Sequence, residues 1–147
     1  MKHLLKTTLL LLLLSFNFSC SQQLQMKTLS DAKKIELNKK EFVGKKLNYL
    51  LKNVNIEIQS VIPMPNKKVN EVNRLSFLFV PIDTYKKAYG TPLSKPTRLV
   101  VIFNQNWDFI GQRCYPNKNP QCAEWLPEDE KNLGDLIVYD IIVLGKN

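Results

Sequence analysis

The chain has 147 residues and a formal net charge of +8, with one histidine, His3, and three cysteines, Cys20, Cys114 and Cys122. At 44% apolar and 23% charged residues its composition is that of a globular protein, and its length suits one domain rather than two. With its only histidine near the N-terminus, the body has no imidazole for a Ser-His-Asp or Cys-His mechanism or for a zinc site, which excludes most common hydrolase chemistries.

The first segment, residues 1–19, begins with Lys2, His3 and Lys6 and continues through Leu9–Leu14 without a polar interruption. A basic stretch followed by a short apolar run is the layout of a secretory signal. Ser15, Asn17 and Ser19 dilute the run well before the roughly 20 apolar residues that a membrane span requires. The segment closes on Ser19 and Cys20, and in this it resembles the lipobox of bacterial lipoproteins, where a signal peptidase cuts before a cysteine that carries a diacylglyceryl group. Asn17 and Phe18 depart from the usual aliphatic and small residues of that pattern. The resemblance implies cleavage before Cys20 and lipid attachment at its sulfur, with membrane lipid as the first partner. It also implies a cell-envelope location, on the outer membrane and facing the periplasm, because Ser21 is not the aspartate associated with inner-membrane retention. Loss of residues 1–19 would leave 128 residues, remove His3, and take Lys2 and Lys6 from the net charge.

Residues 20–40 read as a tether, polar with scattered apolar positions, although Ile35 and Leu37 alternate with charged neighbours and could add a short strand or turn, and residues 41–147 read as a single α+β domain. Leu47, Leu50, Leu51 and Val54 follow i, i+3, i+4, i+7 spacing behind Gly44 and predict a helix. "FVGKKLNYLLKNVNIEI" also resembles the opening of a PASTA domain over about twenty residues. The later glycine and proline signals of that family are absent, so the likeness is read as convergence and no functional residue is carried over.

Ile56 and Ile58 alternate with Glu57 and Gln59, predicting a strand that stops at Pro63 and Pro65. "EVNRLSFLFVPI" is apolar on both faces, as a central strand covered on two sides would be. Asp83 is placed to cap a short helix over "TYKKAY", with Gly90 as its stop. Two apolar runs, 98–103 and 107–113, flank Asn104, Gln105 and Asn106 and predict a hairpin turn there. The final run, "GDLIVYDIIVLG", is long enough for a last strand, though its start also suits a helix continuing from "PEDEKN". The expected architecture is mainly an antiparallel sheet of about five strands, with one N-terminal helix and a short helical insert.

Cys114 and Cys122 bracket a Pro- and Asn-rich loop, and in an exported chain this pair predicts a disulfide worth about 2–3 kcal/mol. Trp107, Tyr115 and Trp125 lie on or near that loop and form a possible binding surface for a glycan or an envelope protein. Glu124, Glu128, Asp129, Glu130 and Asp135 concentrate carboxylate, which would permit glycoside hydrolysis without histidine, but three of them follow Pro127 as expected for a helix N-terminus.

The lysines are spread in pairs along the chain, and the only arginines are Arg74, Arg98 and Arg113, which argues against base readout in nucleic acid. The expected function is a non-catalytic interaction module on an envelope lipoprotein, with no cofactor and no metal. An inhibitor or immunity-type protein acting through the cysteine loop is the first alternative, and a carboxylate-dependent glycan hydrolase the second.

Overall fold

The computed structural model describes residues 24–65, 71–89, 96–108 and 123–145. Four strands, β1 (Ser60–Pro65), β2 (Glu71–Leu78), β3 (Arg98–Asp108) and β4 (Val138–Leu144), form one antiparallel sheet in sequence order. Among the described residues four α-helices accompany it: α1 (Ala32–Leu37), α2 (Leu47–Leu51), α3 (Ile82–Tyr89) and α4 (Pro127–Leu133). The expected α+β class and antiparallel sheet are therefore present in one small domain. Among the described residues the sheet has four strands.

Alternation along β2 explains its central place. Leu75 and Phe77 point into the main core, and Ser76 and Leu78 into the opposite face, so all four are buried. The main core stacks Val61, Leu75, Phe77, Leu99, Val101, Phe103 and Ile141 of the sheet against an N-terminal layer carrying Met26, Ala32, Ile35, Phe42, Leu47, Leu50 and Leu51. Each fully buried leucine or phenylalanine contributes about 1.5–3 kcal/mol, and α1 and α2, at six and five residues, are too short to hold without that packing. On the other face Leu78 packs with Ile82 and Tyr85 of α3 and with Ala123.

The layer also protects the sheet's last edge. Gly44, with φ of +80°, turns the chain so that its N–H donates to the Val138 carbonyl, while Val138 N–H donates back to the Lys45 carbonyl. Farther along β4, Glu36 of α1 accepts the Val143 N–H at 3.0 Å and Lys39 pairs with Asp140 at 2.6 Å. The outer β1 edge instead carries Pro63 and Pro65, which cannot donate to another strand.

Several local expectations change. The segment 20–40 is not a tether throughout: Met26, Ala32 and Ile35 are core residues, and Met26 exchanges backbone bonds with Asn53 and Asn55. These apolar positions are too sparse to show a period, and they are ordered by the sheet they cover. Ile56–Gln59 precede the first strand, which begins at Ser60 and runs through Pro63 and Pro65 on its unpaired side. Asp83 lies within the first turn of α3 rather than ahead of it.

No hairpin turn occurs at Asn104–Asn106. β3 continues through all three residues, with Asn104 N–H donating to the Ile137 carbonyl and Gln105 Oε1 accepting the Ile137 N–H. Polarity there marks exposed positions along the strand, not a reversal, and none of the described non-glycine residues has a positive φ. At the C-terminal run the choice is strand: α4 ends at Leu133, and β4 starts after the turn at Gly134 and Asp135.

Candidate functional site

The segment 123–125 wraps the start of β1. Glu124 forms a one-residue antiparallel bridge with Ser60, and beside it Ala123 packs in the cluster around Leu78 while Trp125 packs against the main core. Trp125 meets Phe77 edge to face, with ring centroids 5.1 Å apart and an interplanar angle of 83°. That geometry sets the indole's quadrupole favourably against the phenylalanine ring. Trp125 is nevertheless only half-buried.

Its exposed side borders a cleft of about 640 Å³. The floor and walls come from three separate stretches: Glu57–Ser60 ahead of and into β1, Pro81–Asp83 at the start of α3, and Glu124–Trp125. Gln59 N–H donates to the Leu78 carbonyl, which holds the first stretch beside the end of β2. Ile82 is buried against Leu78 and anchors the second.

The lining combines Ile58, Pro81, Ile82 and the Trp125 indole with three exposed carboxylates, Glu57, Asp83 and Glu124, and among the described residues no basic side chain lines it. In a chain with a net charge of +8 this is a local inversion of charge. An aromatic face beside carboxylates and an amide suits a ligand with hydroxyl or amine donors. Among the described residues, no three histidine, cysteine, aspartate or glutamate side chains are grouped to hold a metal ion.

Of the aromatic surface expected from sequence, only Trp125 can be placed at this cleft. Trp107 occupies β3 opposite Val72 of β2. Tyr115, the Cys114–Cys122 pair and Cys20 lie outside the described residues.

The acidic concentration divides. Glu124 joins the cleft, while Glu128, Asp129 and Glu130 fill the first turn of α4, where the Asp129 carboxylate accepts the Leu126 N–H at 2.7 Å. Asp135 pairs with Lys46 at 2.8 Å. Glu57, Gln59 and Asp83 were not singled out for binding by sequence reasoning. They come from stretches far from Glu124 in the chain, brought together by the Ser60–Glu124 bridge, the Gln59–Leu78 hydrogen bond and the packing of Ile82 on Leu78.

No protein family matches this chain, and neither the curated proteins nor the solved structures contain a match.

Proposed function

We propose that this protein is an envelope lipoprotein, anchored through acylated Cys20, whose folded domain is a non-catalytic module that binds a sugar- or amine-bearing envelope component. The basic and apolar leader ending at Ser19–Cys20 supports the anchor, and Ser21 in place of an aspartate supports an outer-membrane position facing the periplasm. The cleft supports the binding role, and the observation that carries it is Trp125 set beside three carboxylates from three chain segments.

The anchor is tested by Cys20→Ala, which should abolish metabolic palmitate labelling; retained labelling refutes it. The binding role is tested by titrating the protein with soluble peptidoglycan fragments while following tryptophan emission. A saturable change is expected in the wild type, and the Glu57→Gln, Asp83→Asn double variant should weaken it at least tenfold. No response in the wild type, or equal response in the variant, sinks the cleft as the binding site.

The same three carboxylates favour a second reading, carboxylate-dependent glycan hydrolysis. It requires release of reducing ends from peptidoglycan, whereas the binding reading requires none.

A further inference from the structure

The described body begins at Leu24, and Met26 is already fully buried. Three residues therefore separate Leu24 from Cys20, and the four steps between them span at most about 14 Å even if fully extended. A domain on so short a leash rests against the surface that holds it, and the face it presents is set by where the chain enters the fold.

That place is the end of α2. Met26 N–H donates to the Asn53 carbonyl at 2.7 Å, Asn55 N–H donates to the Met26 carbonyl at 2.9 Å, and the Asn53 carboxamide donates to the Tyr49 carbonyl at 2.8 Å. Around it stand exposed Lys27, Lys45 and Lys52, none of which has a carboxylate partner among the described residues. Four neighbours in the same layer, Lys33, Lys34, Lys39 and Lys46, do have one.

Tyr49 is 44% exposed and is braced from below by buried Phe42, with ring centroids 6.0 Å apart. The Lys45 ammonium lies over its ring, 4.3 Å from the centroid. Nearby Val43 is 42% exposed. Unpaired lysines around an exposed tyrosine and an aliphatic side chain match the chemistry of a bilayer surface: cations for anionic headgroups, and an amphipathic ring for the headgroup level.

We propose that this face docks on an anionic lipid bilayer, with Lys27, Lys45 and Lys52 against the headgroups and Tyr49 at the interface. The docking deepens the anchored reading, because it fixes how the tethered domain sits, but it does not need the acyl chain. The two are therefore separable by experiment.

Every core contact described lies at Leu24 or beyond, so a chain starting at Ser21 keeps the folded body while lacking any acyl chain. This form is sedimented with vesicles of phosphatidylcholine alone and with vesicles containing phosphatidylglycerol, with circular dichroism confirming the fold of each variant. The expected result is binding to the anionic vesicles only, weakened by salt, and reduced at least about tenfold by Lys27→Glu, Lys45→Glu and Lys52→Glu together. A control with the same change in charge elsewhere, Lys86→Glu, Lys87→Glu and Lys131→Glu, should keep most of the binding. Equal loss in both variants would show a response to net charge alone and overturn the proposal, as would equal binding to neutral vesicles or none to either. Loss of palmitate labelling in Cys20→Ala with vesicle binding intact would support both readings; unchanged labelling would remove only the anchor.

Discussion

Glu36 Oε1 accepts the Val143 N–H at 3.0 Å, so a carboxylate from the first helix closes the edge of the last strand. A hydrogen bond from Lys33, together with the Val143 amide, holds the Glu36 carboxyl below its usual range, and Lys39 does the same for Asp140 on the same strand. Both groups have lower pKa values folded than unfolded. The stability they contribute is therefore complete above the ordinary carboxylate range and is lost as the pH falls through the folded values. Urea midpoints should decline between about pH 5 and about pH 3. Glu36→Gln should flatten part of that decline, and an unchanged slope would contradict the linkage. Glu36→Ala should cost about 1 kcal/mol at neutral pH, because Glu36 is partly exposed and water can replace part of the bond.

Gly134 packs directly against the Asn48 side chain. A Cβ at this position would overlap the Asn48 carboxamide, although the backbone of Gly134 is ordinary for any residue. Asn48 has little room to withdraw, since its backbone N–H donates to the Gly134 carbonyl at 3.0 Å and its Oδ1 is buried. Gly134→Ala should therefore destabilise by about 1–3 kcal/mol, as overpacking does. Adding Asn48→Ala should recover most of the loss, and thermal unfolding of the two variants decides the matter.

Ser76 lies at the centre of the sheet opposite Ile62 and Val100, and its hydroxyl is buried without a hydrogen-bond partner among the described residues. Replacing it with alanine removes an unsatisfied group while leaving the strand intact. Ser76→Ala should be neutral or stabilising by up to about 1 kcal/mol, measured by chemical denaturation. A clear loss would mean that the hydroxyl has a partner.

Asn104 separates a continuous strand from a hairpin. Its N–H donates to the Ile137 carbonyl at 3.0 Å, so Asn104→Pro should cost about 3 kcal/mol or more by removing the donor and straining β3. In a turn the same substitution would be mild. A melting temperature near that of the wild type would restore the hairpin.

The two faces of β2 were legible because alternating apolar side chains on both sides leave few arrangements other than a covered central strand. Asn104–Asn106 misled for a related reason. Asparagine favours tight turns and is depleted in strands, so three polar residues suggested a reversal, and only the pairing with Ile137 shows that the strand continues. The candidate site was legible at one residue, Trp125, and its acidic partner Glu124 was read with the wrong neighbours. Glu128–Glu130 belong to a helix start, while Glu57 and Asp83 complete the cleft.

By itself the sequence determined what is local or compositional: a basic chain, a single histidine near the N-terminus, the apolar face of α2 and the central strand β2. Tertiary structure decided what depends on distant partners. The supposed tether became part of the core because the sheet offered Met26 and Ile35 an apolar face to cover, and Glu124 joins the cleft because it pairs with Ser60 across the chain. Periodicity records which way a side chain points within its own element, but which surface it meets is set by contacts between residues far apart in sequence.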